Sequence, residues 1–375
     1  MAHDAWLTLL QAAQFSPRAW LEVLKACGSA EALLAEPARA LIARGLPAEA
    51  VAKLATPDEP TLARWRSWLQ GPDRALVTFG SPDYPPRLAE LADAPLALWT
   101  HGAQPALLSA SQLAIVGSRS PTADGRDTAL QFAKYLSARG LTITSGLATG
   151  IDGASHSGAV GELGGTVAVL GSGLDIIFPR SNDRLAADVA ARGLLVSEYA
   201  PGVEPQKFFF PQRNRIIAGL SLGTLVVEAT RRSGSLITAR YATENGREVF
   251  AIPGSIHNPL ARGCHWLIRQ GAKLVEEAAD ILVELAPLLT EEILRPPPGS
   301  AAAGAPESAW PTADPSYQNL LAALGFSPTS IADLGARSHL TTAELSSMLL
   351  ILELEGLVEA LPGGRYSRLG GKREK

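Results

Sequence analysis

Several protein classes are excluded by what this sequence has little of. Its 375 residues include only two cysteines, Cys27 and Cys264, which are too far apart for a disulfide framework or a Cys-x-x-Cys metal site. No apolar run approaches the roughly 18 residues that a membrane helix needs. The start, Met-Ala-His-Asp, also lacks the basic residues of a signal peptide. We therefore expect a cytoplasmic protein with no membrane span.

Motifs for metals and nucleotide cofactors are also missing. His257, Cys264 and His265 lack the close pair spacing of metal ligands, so we interpret them as structural residues. The first Gly-ended run is not followed by G-x-G-x-x-G, and G-x-x-x-x-G-K-[ST] does not occur. These absences argue against an NAD or ATP site, and we expect neither a metal nor a cofactor.

Basic charge is not in excess. The chain has 33 Lys and Arg against 37 Asp and Glu, a net charge of -4, so nucleic-acid binding cannot depend on a basic molecule as a whole. Residues 205–240 differ, because they carry six basic side chains and the single acid Glu228. A polyanion site is therefore predicted to be local and to include this stretch. Its basic residues are Lys207, Arg213, Arg215, Arg231, Arg232 and Arg240.

Short apolar runs alternate with helical stretches in the middle of the chain. Continuous apolar runs are typical of strands buried on both faces, and the segments between them are long enough for crossover helices. The fold class is predicted to be α/β: a Rossmann-like, doubly wound, mostly parallel sheet, flanked by a small helical N-terminal domain and a C-terminal winged-helix domain. The runs are 112–117, 141–146, 166–171, 194–199, 223–229 and 248–254.

Composition shifts predict the domain boundaries. Pro, Ala, Gly and Ser dominate residues 295–316, which is typical of a linker. The predicted order is a helical domain of the SAM or helix-hairpin-helix type, a connecting segment packing on the core, a Rossmann-like DNA-binding domain, a Pro/Ala/Gly linker and a winged helix. The boundaries are 1–75, 76–110, 111–290, 291–316 and 317–370 respectively.

The third helix predicted for the winged-helix domain has an unusual surface for a DNA reader. Thr341-x-x-Glu344 predicts a capping box and Gly356 an end, but no Lys or Arg lies between them. A helix that reads the major groove is usually basic or rich in amides. We therefore interpret the domain as mainly a protein-contact or regulatory module. Weak phosphate contact stays open through Arg365, Arg368, Lys372 and Arg373.

Loops rich in Gly, Ser and Arg follow the first three predicted strands, over residues 117–119, 145–152 and 171–175. In a parallel sheet these loops meet helix N-termini, where free N–H groups favour anions. The three loops together favour phosphate binding over simple strand termination. We interpret Asp152 and His156 as a helix-start acid and a loop imidazole rather than as part of a hydrolytic triad.

Three phenylalanines, Phe208 to Phe210, directly precede Arg213, Asn214 and Arg215. Aromatic faces stack bases and arginines follow phosphates, so this order is typical of single-stranded nucleic-acid sites, although the aromatic run could equally be core.

The role of Glu228 has two interpretations. The favoured interpretation is that it orders Arg213 or Arg215, and the other is that it is a catalytic carboxylate.

The motifs GSR, SGLATGID, GSGLD, FPRSN, FPQRNRIIAGLS, VVEA, SGSLITA and IPG, in this order, resemble the DprA/Smf family of DNA-processing proteins. Phe178 departs from the Tyr that this family usually has. The resemblance implies a non-enzymatic recombination mediator that protects incoming single-stranded DNA in natural transformation. It also implies a homodimer formed through the Rossmann-like domain, and loading of RecA recombinase on strands covered by single-strand-binding protein.

The resemblance implies a set of DNA-binding residues on the motif loops, with Lys207 and Arg231 expected at the outer rim. An alternative from another class is an enzyme, because the fold also resembles nucleoside-monophosphate phosphoribohydrolases of the lysine-decarboxylase-like group. That reading would use Glu228, but the Gly-Gly that precedes Gly-Thr in those enzymes is missing here. The full DNA-binding set is Ser118, Arg119, Ser145, Gly146, Gly173, Arg180, Lys207, Arg213, Asn214, Arg215, Arg231, Ser233, Gly234 and Ser235.

Overall fold

The N-terminal part of the protein is helical. The computed structural model describes residues 3–13, 17–294, 315–324 and 328–369. Helices begin directly after Pro37 and Pro47, whose own backbones are extended, and Leu9, Trp20 and Leu33 are buried. The helices are α1 (Asp4–Ala12), α2 (Pro17–Cys27), α3 (Ala30–Ala35), α4 (Ala38–Ala43), α5 (Ala48–Ala55) and α6 (Glu59–Leu69).

A twisted sheet forms the centre of the molecule, and all six predicted strands are confirmed. The strands are β1 (Arg74–Thr78), β2 (Ala97–His101), β3 (Gln112–Val116), β4 (Thr142–Ser145), β5 (Thr166–Leu170), β6 (Leu194–Ser197), β7 (Gly223–Val226), β8 (Glu248–Ala251) and β9 (Lys273–Leu274). Their spatial order is β1-β2-β6-β5-β4-β3-β7-β8-β9. Strands β3 to β9 are parallel, as predicted for a doubly wound sheet.

Two strands before residue 110 extend the sheet. Strands β1 and β2 form an antiparallel pair, and β2 continues the sheet by pairing antiparallel with β6. The ring of Trp99 on β2 lies 5.6 Å from Trp65 and 5.6 Å from Trp68, both on α6. These edge-on aromatic contacts join the helical region to the sheet.

Helices cover both faces of the sheet. Alternate residues of β3 enter different clusters, with Leu113 and Ile115 in one and Ala114 and Val116 in the other, which explains the continuous apolar pattern. The last helix lies inside the predicted linker, whose residues 295–314 fall outside the described part. The helices are α7 (Pro86–Ala89), α8 (Ala123–Ala138), α9 (Ile151–Ala159), α10 (Asp183–Arg192), α11 (Phe209–Leu220), α12 (Ser235–Glu244), α13 (Arg262–Arg269), α14 (Ala278–Leu285) and α15 (Glu291–Leu294).

The C-terminal part has the predicted order of three helices and a hairpin. The capping box at Thr341 is confirmed, since its hydroxyl accepts from the backbone of Glu344 and the Glu344 carboxylate accepts from the backbone of Thr341. None of the described helices is long and apolar enough to cross a membrane. The elements are α16 (Pro315–Leu324), β10 (Thr329–Ser330), α17 (Ile331–Ser338), α18 (Thr342–Leu354), β11 (Val358–Leu361) and β12 (Arg365–Arg368).

Candidate nucleic-acid interface

The sheet order brings the Gly-rich loops to one edge. Strand β3 lies between β4 and β7, so the chain leaves β3 toward one side of the sheet and later returns on the other. Such a switch point opens a crevice at the carboxyl ends of the strands, which is where parallel sheets bind ligands. The loops that meet there are 117–122, 146–150, 171–182 and 227–234.

The loop after β4 is held rigidly by side chains that sequence reasoning did not place in the site. Asp152 Oδ2 accepts from the Gly146 N–H at 3.1 Å, and His156 Nε2 accepts from the Leu147 N–H at 3.3 Å. Asn182 Nδ2 donates to the Leu147 carbonyl at 2.9 Å. Leu147 has a φ of 56°, in the left-handed region, so these contacts stabilise an unfavourable backbone conformation.

His156 is neutral and structural. It lies in α9, not in a loop as expected, and burial, followed by the charge of Arg213, lowers the pKa of His156 to about 3. Because Nε2 accepts from Leu147, the proton must be on Nδ1, which donates to Thr166 Oγ1 at 2.8 Å. Both ring nitrogens are therefore engaged in holding the loop.

Arg213 lies below the floor of the crevice. Its Nη1 donates to the carbonyls of Gly146, at 2.8 Å, and Val169, and only 4% of the residue is exposed. A Cβ on Gly146 would lie 2.4 Å from Arg213 Nη2, so only glycine fits there. Burial lowers the pKa of Arg213 to about 10, although the Asp152 carboxylate opposes that shift. Arg213 therefore joins the ends of β4 and β5 beneath the predicted phosphate-facing loops.

Arg215 corrects one expectation. Its Nη2 donates to both carboxylate oxygens of Glu198 at 2.6 Å, and its Nε lies 3.5 Å from Asp93 Oδ2. The side chain is buried, so the structure does not bring it to the crevice with the other predicted residues. Residues two apart on a helix lie on different faces, and the sequence motif does not show which face is which.

The three phenylalanines separate into different environments. Phe209 is buried against Tyr199, with ring centroids 4.1 Å apart, whereas Phe208 is half exposed. Phe210 lies at the crevice, where the Arg119 guanidinium is 5.7 Å from its ring centroid. Its ring is also 5.5 Å from Phe178, which is 47% exposed. We call Arg119, Phe178 and Phe210 the aromatic ledge; they come from the loop after β3, the loop after β5 and the start of α11.

The remaining predicted residues divide into a rim and a framework. Arg180, Lys207 and Arg231 are exposed, as a rim requires. Ser118 is half-buried, and its Oγ accepts from the Ser120 N–H at 3.1 Å. Ser145 is buried and donates to the Ile115 carbonyl at 2.6 Å, so its hydroxyl is used inside the fold.

Glycine and amide contacts hold the outer loops against α11. A Cβ on Gly173 would lie 2.6 Å from the Ala200 carbonyl, so this buried loop needs glycine. Asn214 Nδ2 donates to the carbonyl of exposed Gly234 at 3.3 Å, while the hydroxyls of Ser233 and Ser235 are 2.7 Å apart. The loop before α12 is thereby tied to the helix that carries Arg213.

Glu228 has a different role from the favoured interpretation. Its carboxylate accepts from the Thr122 N–H at 2.9 Å and from the Thr122 hydroxyl at 2.8 Å. The interpretation that Glu228 orders Arg213 or Arg215 is therefore wrong, since those arginines bond other groups. Among the described residues, no group of three or more His, Cys, Asp or Glu side chains is placed to hold a metal ion.

The fold and the site together define a Rossmann-like domain with a cationic, glycine-rich edge, followed by a winged helix. The family described as DNA recombination-mediator protein A matches residues 75–286, and the DprA winged helix domain matches residues 301–364. The chain belongs to this DNA recombination-mediator family, as the resemblance predicted.

Proteins similar to this chain match it over most of their own length. Protein Smf of Escherichia coli is 46% identical over 308 residues, which cover 80% of this chain and 79% of that protein. The structure of DNA processing protein A from Streptococcus pneumoniae superposes with a TM-score of 0.66 at 38% identity, covering 74% of this chain and 95% of that one. DNA processing protein A from Helicobacter pylori, studied for its single-stranded DNA binding mode, has a TM-score of 0.52 at 27% identity and covers 57% and 97%.

Proposed function

We propose that the protein binds single-stranded DNA at the carboxyl edge of its sheet. The observation that carries this proposal is the aromatic ledge, in which the Arg119 guanidinium lies over the Phe210 ring beside Phe178. Stacking faces next to exposed cations suit single strands, because every base has an aromatic face and every nucleotide a phosphate. The rim cations Arg180, Lys207 and Arg231 extend the surface on either side.

The rigid loop beneath the ledge supports the same proposal. Asp152, His156 and Asn182 fix the loop 146–150, so its backbone does not have to be ordered when a ligand binds. The single-stranded DNA binding mode described for the Helicobacter pylori relative agrees in ligand class.

Anisotropy of a labelled oligo-dT, with duplex of the same length as competitor, tests the proposal. We expect wild type to prefer the single strand and the double variant Arg119→Ala/Phe210→Ala to bind at least about tenfold more weakly, because stacking and a phosphate contact are both lost. Arg192→Ala is the matched control, since this exposed arginine ends α10 at the opposite edge. Equal losses in all variants, or preference for duplex, would refute this site.

The bound strand is proposed to be handed to RecA recombinase, with no covalent step by this protein. Family membership supports mediator activity, and the proposed role includes protecting incoming DNA and working on strands covered by single-strand-binding protein. RecA filament formation on such covered strands should accelerate with wild type and not with Arg119→Ala/Phe210→Ala. If both proteins accelerated filament formation equally, RecA loading would not depend on DNA binding in the crevice. The cytoplasmic location remains a prediction.

A homodimer through the Rossmann-like domain is proposed at the β9 edge of the sheet. Among the described residues, strand β9 pairs only with β8, and Leu274 on β9 and Ile256 and Trp266 between β8 and β9 expose apolar side chains. Unpaired edges and clustered apolar side chains favour association with a second chain. Light scattering should give a dimer for wild type and a monomer for Leu274→Arg. Leu163→Arg is the control, because Leu163 is 78% exposed away from this edge. A dimer that survives Leu274→Arg would exclude this surface.

A further inference from the structure

Glu228 occupies the start of α8 in the way that a bound anion would. Both of its carboxylate oxygens accept hydrogen bonds from Thr122, the residue that caps this helix. The Thr122 hydroxyl in turn accepts from the Gly125 N–H at 2.9 Å. A carboxylate from the segment that follows β7 is thereby coupled to the first turn of a helix whose N–H groups and dipole attract negative charge.

A glycine makes this close approach possible. A Cβ on Gly125 would lie 2.5 Å from Glu228 Cδ and 2.6 Å from its Oε2, so no larger residue fits beside the carboxylate. In dinucleotide-binding sheets, glycines at the corresponding turn let a phosphate approach the backbone in the same manner. The helix also follows β3, beside the switch point between β3 and β7.

The surroundings of Glu228 are acidic rather than basic. Desolvation by the surrounding protein, followed by the Glu228 and Asp127 charges, raises the pKa of Asp124, although that side chain keeps some solvent exposure. A cavity of about 490 Å³ next to Glu228 is also lined by Asp124 and Glu359. Glu359 Oε2 is buried there with no hydrogen-bond partner among the described residues. A free phosphate entering this cavity would meet carboxylates and find its donors occupied.

We propose that Glu228 is a specificity-determining residue: its carboxylate stands in for a ligand phosphate at the start of α8 and so excludes phosphate monoesters, including mononucleotides, from the switch point. Phosphodiester strands then bind at the neighbouring loops that carry Arg119. The inference rests on the proposed function, because it explains why a fold suited to nucleotides serves a strand instead.

Calorimetric titration with AMP and with inorganic phosphate tests the inference. Wild type should show no saturable binding of AMP or phosphate. Glu228→Ala should bind AMP with an affinity at least about tenfold above the detection limit of the wild-type titration, since the Thr122 donors and the space beside Gly125 become available. Glu248→Ala removes an exposed acid at the opposite edge of the sheet and should behave like wild type. This control separates the site from the loss of one negative charge.

Glu228→Ser leaves a short polar side chain, and so tests the idea if the alanine variant does not fold. Its hydroxyl vacates most of the space beside Gly125 and carries no negative charge, so AMP should raise its melting temperature and leave that of wild type unchanged. Saturable AMP binding or adenine release by wild type would overturn the inference, as would variants that bind AMP no better than wild type. If wild type did not bind oligo-dT, that result would instead count against the proposed function.

Discussion

The two faces of α11 carry similar charges and serve different purposes. Arg213 faces the crevice and bonds the carbonyls of Gly146 and Val169, whereas Arg215 faces the other side and pairs with Glu198. Both are buried, so neither resembles the exposed rim cations. The comparison shows that both arginines of a basic sequence motif can be framework residues, one joining two strand ends and the other pairing with carboxylates.

The largest effect is expected from Arg215→Ala, which leaves the Glu198 and Asp93 carboxylates without their buried cation. Removing one partner of such a pair costs about 3–5 kcal/mol in the free energy of unfolding. Urea denaturation should show this loss. Arg240→Ala, which removes an exposed pair with Glu244, should cost less than about 1 kcal/mol. Similar losses for both would mean that burial of the pair is unimportant.

Arg213→Ala should lower both the stability of the protein and its affinity for oligo-dT. The carbonyls of Gly146 and Val169 lose their donor, which we expect to cost about 3 kcal/mol of stability for two buried acceptors. The loop beneath the ledge then loosens, so oligo-dT affinity should also fall by about tenfold or more. Denaturation and anisotropy on the same preparation measure the two effects. A stable variant with unchanged affinity would show that Arg213 is dispensable to the crevice.

The strands and the final helix could be predicted because burial controls the strands and a local capping interaction starts the helix. Continuous apolar runs such as 166–171 have no polar face to expose, and the Thr341 capping box is a local interaction between residues three apart. The position of the Gly-rich loops was also predictable, because parallel strands bring their carboxyl ends to one edge.

The partners of buried charges were not predictable. Glu198 pairs with Arg215 and Glu228 with Thr122, residues 17 and 106 positions away, and no local pattern selects these partners. Phe178 also escaped notice as a ledge residue, because its contact with Phe210 depends on how the loop after β5 turns. Such contacts depend on tertiary geometry, which one sequence does not show.

The floor of the crevice should also lose stability in acid because of His156. Its pKa is depressed in the folded state, so below about pH 6.5 the unfolded chain binds a proton that the folded protein does not. The contribution of His156 to the free energy of unfolding is fully present above that pH, and it falls by about 2 kcal/mol by pH 5. Comparing unfolding at pH 7 and pH 5 for wild type and His156→Gln measures this term. An equal loss in the variant would assign it to other groups.

The smallest effect is expected at the rim, where Lys207→Ala or Arg231→Ala should leave the free energy of unfolding unchanged. Each removes an exposed charge, so oligo-dT affinity should fall only a few-fold, and the slope of log affinity against log salt should flatten by about 0.7. Arg192→Ala should keep the wild-type slope. A flattened slope without loss of stability would separate the ligand-binding cations from the framework arginines of α11. An unchanged slope in Lys207→Ala and Arg231→Ala would confine DNA contact to the aromatic ledge.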